Sequence, residues 1–183
     1  MILDIKNFEI KGVKLFNIKI NKDKRGSFSE VFKSDLNYSE FKIKYVQENE
    51  SISNYGVFRG MHLQKDEYSQ SKLIRVVQGK IIDVVCDLRR SSSSFKKIIL
   101  IKLVPNQILF LPKGLAHGFL TLEKKTILNY KCDKSYNKNS ETGFNLFKSV
   151  LDHSFPIGKE EIYMSIKDKS LPSLKNSYIY ENL

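Results

Sequence analysis

The chain has 183 residues and a formal net charge of +11, a length that suits one domain with a sizeable core. Its lysines are spread along the chain from Lys6 through Lys24 and onward, with no dense basic arm, so the charge favours a phosphorylated small molecule or simple solubility over nucleic acid. Cys86 and Cys132 are too few for a disulfide framework or a four-cysteine zinc site, the first residues lack a signal-peptide layout, and no apolar run approaches membrane-spanning length; a cytoplasmic protein is expected, with neither membrane nor nucleic acid as partner.

Taken in order, residues 34–41 read as a short helix capped by Ser34 or Asp35. Residues 43–49 end a strand. Residues 72–80 and 81–88 are expected to form a hairpin turning at Gly79. In its second arm Ile82, Val84, Cys86 and Leu88 alternate with Asp83, Val85 and Asp87, which puts two acids on one face, toward a polar interior or solvent. The serines at 91–94 read as a turn between strands. Residues 97–104, 106–111, 116–123 and 126–132 supply further strands, with a turn at Pro112-Lys113-Gly114. Many short strands at regular spacing predict a mainly β sandwich or barrel. The expected domain covers 1–183, with a barrel core at about 43–135. Residues 137–183 are more polar, are expected to pack outside it, and carry a short helix near 159–167.

The densest chemistry lies in Val57-Phe58-Arg59-Gly60-Met61-His62-Leu63-Gln64. An imidazole changes charge near neutral pH, and a guanidinium is a permanent fork of donors suited to phosphate. His62 and His117 each follow a glycine closely and open an apolar strand. A cupin-type metal site needs a His-x-His pair, but Gln64 stands two residues after His62, and His153 lies in the irregular tail. That set is short of the three or four good ligands a first-row metal wants, so no metal is expected. Acid–base chemistry needs a base, an acid and a group to hold developing charge. His62, Tyr130 and Lys72 suit those tasks by residue type.

These segments resemble a known family. The stretch 57–64, Lys72-Leu73-Ile74-Arg75 with Gly79, residues 83–89, Pro112-Lys113-Gly114-Leu115-Ala116-His117-Gly118-Phe119 and Asn129-Tyr130-Lys131-Cys132 are similar to those of the dTDP-4-dehydrorhamnose 3,5-epimerases. So are residues 23–30, with Arg25, Gly26 and Glu30, and the run Gln47-Glu48-Asn49-Glu50-Ser51. The resemblance extends in order from about Gly12 to Pro172. It implies a cupin-like double-stranded β-helix (jelly-roll) barrel with short peripheral helices, no cofactor, and a homodimer. The implied substrate is a nucleotide-linked 4-keto-6-deoxy sugar, dTDP-linked, epimerised at C3, C5 or both through an enolate. Narrower alternatives are a single-centre epimerase or ketoisomerase on another nucleotide sugar, or a non-catalytic sugar-nucleotide-binding barrel.

By the same resemblance His62 matches the base and Asp168 its paired acid. Tyr130 matches the proton donor, and Lys72 the lysine that faces the enolate oxygen. Arg25, Glu30, Gln47, Glu48, Asn49, Arg59, His117, Glu141 and Lys167 match substrate-binding positions. Asp83 is expected to orient His117. Two departures stand out: Ser135-Tyr136 replaces a Tyr-Tyr pair, and residues 147–153 replace a tryptophan-containing stretch in a chain that has no tryptophan.

Overall fold

The computed structural model describes residues 2–34, 43–149 and 155–183. Beyond Ser34, the expected helix at 34–41 lies outside the described residues, as does His153. The strands are β1 (Ile2–Asn7), β2 (Lys14–Ile18), β3 (Asn21–Asp23), β4 (Gly26–Phe28), β5 (Gln47–Ser53) and β6 (Phe58–Gln64). Next come β7 (Lys72–Gln78), β8 (Ile81–Asp87), β9 (Ile98–Leu103), β10 (Gln107–Leu111), β11 (Leu115–Thr121), β12 (Thr126–Cys132) and β13 (Glu141–Gly143). The helix α1 spans Ile166–Ser170, and short 3-10 turns serve as connectors.

Two antiparallel sheets face each other in the jelly-roll manner. The larger runs β1-β2-β10-β7-β12-β5 and the smaller β13-β6-β11-β8-β9. From β5 to β8 consecutive strands alternate between the layers. The alternating side-chain pattern of each strand then sends one set inward and the other outward. On β7, Ile74 and Val76 join the core between the sheets, while Leu73 packs on the outer face of the larger sheet. On β8, Ile81 and Val85 face inward with Asp83, while Val84 and Cys86 face out. The two acids of β8 therefore belong to a polar interior.

The core draws on the whole chain. Ile10, Val13 and Leu15 enter it from the N-terminal side. Phe144, Leu146 and Tyr180 cover the outer face of the smaller sheet. Fully burying one such aliphatic or aromatic side chain contributes roughly 1.5–3 kcal/mol.

The hairpin expected at Gly79 is not formed. β7 pairs with β10 and β12 in the larger sheet, whereas β8 pairs with β11 and β9 in the smaller. At Gly79 the chain crosses between layers with φ +89°, and a Cβ there would come within 2.5 Å of Thr126 Oγ1. Two apolar runs joined by glycine give the same local signal for a hairpin or a crossover, and only partners distant in sequence decide. The helix expected near 159–167 is likewise divided into a 3-10 turn at Lys159–Glu161 and α1. Between them Tyr163 is held extended: its N–H donates to Gly56 O and its carbonyl accepts from Phe58 N, both at 2.9 Å.

Candidate active site

A cleft of about 640 Å³ opens between the sheets. Its lining includes Asn49, Arg59, His62, Lys72, His117, Tyr130, Lys167 and Asp168. A neighbouring hollow of about 260 Å³ shares Asn49, His62, Lys72 and Tyr130 and adds Gln47, Tyr136 and Glu141. His62 and Tyr130 thus border one continuous space.

Arg59 and His62 are three residues apart, so on a regular strand they would face opposite sides. Their partners on β11 are only two apart: Arg59 opposes Phe119 and His62 opposes His117. One extra residue in β6, a bulge, restores both side chains to the cleft. Gly60 makes this feasible. Its φ is +129°, and a Cβ there would lie 2.5 Å from Gly118 Cα, so any side chain would force the two strands apart.

His62 Nε2–H donates to Asp168 Oδ1 at 2.6 Å, across 106 positions of sequence. The imidazole is 32% exposed and the carboxylate 6%. Ser165 caps α1, its Oγ accepting from Asp168 N at 3.0 Å, and this fixes Asp168 in the first turn. The helix is anchored from outside the barrel. Asn145 Nδ2 donates to Lys169 O at 3.1 Å, Lys148 Nζ to Leu171 O at 2.9 Å, and Asn145 N to Pro172 O at 2.7 Å. Burial alone would raise the Asp168 pKa, but bonds from the His62 ring, Ser165 and the Gly60 N–H outweigh it and hold the carboxyl below its usual value. Asp168 therefore stays ionised and keeps the His62 tautomer fixed.

Lys72 and Cys132 are cross-strand partners on β7 and β12. Burial pulls the Lys72 ammonium below its usual pKa, against the attraction of Cys132, Asp83 and Glu141. Burial pushes the Tyr130 phenol up, reinforced by Cys132 and opposed by Arg59. The phenol therefore carries its proton at neutral pH. His117 Nε2 and Asp83 Oδ2 share a hydrogen bond of 2.8 Å inside the barrel.

The remaining candidates divide. Arg59 Nε donates to Ser53 Oγ at 3.1 Å, which aims the guanidinium along the cleft. Lys167 pairs with Glu141, and Tyr136 Oη donates to the same carboxylate at 2.7 Å. Burial would raise the Glu141 pKa, but those two donors hold it down. Gln47 donates to Asn49 Oδ1 at 2.9 Å. Glu48, between them on β5, turns to the outer face and accepts from Lys131 Nζ at 2.6 Å, beside a separate hollow of about 270 Å³. Arg25 sits on the exposed β3–β4 hairpin, paired with Asp23 at 2.6 Å, and neither Arg25 nor Glu30 lines the cleft of its own chain.

Sequence reasoning did not single out Tyr163, Met164 and Ser165, which edge the cleft. The Ser165-Ile166-Lys167-Asp168 spacing was a usable signal, since a hydroxyl three residues before an acid marks a helix start.

With this geometry in view, residues 7–176 match the family model for dTDP-4-dehydrorhamnose 3,5-epimerase. The enzyme of that name from Methanothermobacter thermautotrophicus is 31% identical over 175 residues, covering 93% of this chain and 94% of its own. The Sulfolobus tokodaii structure superposes with a TM-score of 0.87 at 34% identity, covering 99% of this chain and 100% of the other. A Bacillus anthracis structure with TDP and PPi bound gives 0.86 at 35%, covering 93% and 99%. Two sheets, a shared cleft and matches across nearly the whole length place the chain in the dTDP-4-dehydrorhamnose 3,5-epimerase family.

Proposed function

We propose that this chain epimerises dTDP-4-keto-6-deoxyglucose at C3 and C5, with His62 as base and Tyr130 as acid. The C4 ketone acidifies the hydrogens on both neighbouring carbons. His62, whose Nε2 is committed to Asp168, takes a proton through its other nitrogen. The electron pair moves onto the ketone oxygen as an enolate, which faces the Lys72 ammonium. Tyr130 returns a proton to the opposite face of the carbon, and exchange with water resets both groups. A positioned acid or base of this kind is worth about 10²–10⁴ in rate. Arg59 and Lys167 supply charge for the diphosphate.

The observation that carries this reading is the sharing of one cleft by the His62–Asp168 pair, Lys72 and Tyr130. The test is incubation with dTDP-4-keto-6-deoxyglucose in deuterated water, followed by NMR at C3 and C5. Deuterium at both positions is expected. Deuterium at one supports a single-centre enzyme, and deuterium at neither overturns the assignment.

The working form is read as a homodimer in a reducing, cytoplasmic setting. Both cysteines are free thiols. Phe28, on the hairpin that carries Arg25, is 70% exposed, which supports an arm reaching into the cleft of a second copy. Sedimentation giving a monomer at working concentration would remove this part of the reading.

A further inference from the structure

Gln64 takes no part in the proposed proton transfers. It stands two residues after His62 on β6, is 5% exposed, and borders the second hollow together with His62. A buried amide without partners opposes folding, so its contacts say what it is for. Its Oε1 accepts from Asn137 N at 2.8 Å. From β5, in the other sheet, Gln47 Oε1 accepts from Tyr136 N at 2.7 Å. Asn137 is extended, with φ −122° and ψ 117°. In extended backbone neighbouring N–H groups point apart, so each needs an acceptor on its own side. One glutamine from each sheet meets that need.

The two amides hold more than a turn. Residues 137–141 leave the side chain of Gln64 and return to its backbone. Asn137 caps the 3-10 turn Lys138–Ser140, Lys65 N donates to Ser140 O at 2.9 Å, and Glu141 opposes Gln64 in the pairing of β13 with β6. Gln70 Nε2 adds a bond to Lys134 O at 2.9 Å. Tyr136 is thereby fixed through its main chain, and its Oη ties it to Glu141 at 2.7 Å. Its ring is 49% exposed and borders the hollow. Ser135 beside it brings no second ring. Gln47 Nε2 donates to Asn49 Oδ1 at 2.9 Å, so both ends of that amide are engaged within the protein.

We propose that Gln64, together with Gln47, is a positioning residue for nucleotide affinity: two amide carbonyls from opposite sheets hold Tyr136 so that its ring offers a flat face to the base of the substrate. This rests on the nucleotide-sugar reading above. A ring on a loop gains most from stacking when its backbone is already fixed, because the ordering cost is met in folding and not in binding. Gln64 therefore acts through Tyr136, with no contact of its own to the reacting carbons.

The experiment measures dTDP binding by isothermal titration calorimetry, with KM and kcat for dTDP-4-keto-6-deoxyglucose. It compares wild type, Gln64→Met, Tyr136→Ala and the double variant. Methionine keeps the length of the side chain and removes the acceptor. Tyr136→Ala should weaken dTDP binding about 10-fold through lost stacking. Gln64→Met should weaken it about 5- to 10-fold, as an unmade bond to a backbone N–H does, and KM should rise more than kcat falls. In the Tyr136→Ala background Gln64→Met should add little, since the ring it positions is gone. A folded Gln64→Met with wild-type affinity overturns the proposal. So do losses that multiply in the double variant, which assign Gln64 to direct contact or packing. Should Gln64→Met fail to fold, amide hydrogen exchange in wild type decides. Slow exchange at both Tyr136 and Asn137 supports the proposal, and an unprotected amide at either overturns it. Wild type that binds no dTDP and exchanges no deuterium at C3 or C5 removes the nucleotide-sugar reading itself, and this proposal with it.

Discussion

Among the described residues the barrel holds two His–Asp pairs of similar length and opposite character. In the outer pair, His62 and Asp168 meet at 2.6 Å, and the ring is 32% exposed. In the inner pair, His117 and Asp83 meet at 2.8 Å, with 8% and 0% exposed. Both carboxyls feel burial as the leading influence, yet Asp168 ends below its usual pKa and Asp83 above it. The difference is the polar surroundings of each acid. Beside its bond from the imidazole, Asp168 has the Ser165 hydroxyl and the Gly60 N–H close by to favour its charge, whereas Asp83 has one ring and keeps a bare oxygen. The same two residue types are therefore set in opposite electrostatic states, according to how completely the acid is solvated by protein, and in the proposed mechanism it is the outer pair that serves as the base.

The outer pair is broken most severely by His62→Asn. This should lower kcat by about 10²–10⁴ and abolish deuterium uptake at both carbons, read by NMR. On the side of the inner pair, Lys72→Met should cost about 10²–10³ in kcat, since it removes the donor facing the developing charge. Its stability should hold or rise slightly in a urea titration, because a half-buried ammonium on the cleft wall is replaced by an apolar chain of similar length. A loss of stability would contradict the burial that lowers the Lys72 pKa.

Asp168→Asn should leave a base with an unfixed tautomer and cost about 10- to 100-fold in kcat. It also separates the pairs by pH. The folded-state pKa of Asp168 lies below its unfolded value of 3.8, so its stabilisation is present above that value and disappears as pH falls through the folded pKa. Wild type should therefore lose stability over this acid range more steeply than Asp168→Asn, as thermal melts from pH 6 to pH 2 would show. The smallest effect belongs to Ser165→Ala. Loss of the cap should cost about 1 kcal/mol, with kcat reduced less than in Asp168→Asn.

Much of the sheet pattern was legible because strands on a packed face leave a period-two trace, and the two acids of β8 showed their common face directly. What strand pairing decides was hidden. The run at 72–88 has the local signature of a hairpin, yet its halves belong to different sheets. At the site the same alternation applies: Gln47, Glu48 and Asn49 are consecutive, so they cannot all face one cleft, and Glu48 turns outward to Lys131. Conversely, Arg59 and His62 look mismatched by parity and are reconciled only by the bulge that Gly60 allows. The pairing of His62 with Asp168 came from family likeness, since no local rule links residues 106 positions apart.

That separation has a consequence for how the protein comes into being. During synthesis the ribosome releases the imidazole long before the carboxylate that steers it, and strands from both sheets are available first. The pair itself closes only once α1 has emerged and docked over the bulged strand, so the proposed proton transfer must wait for that event.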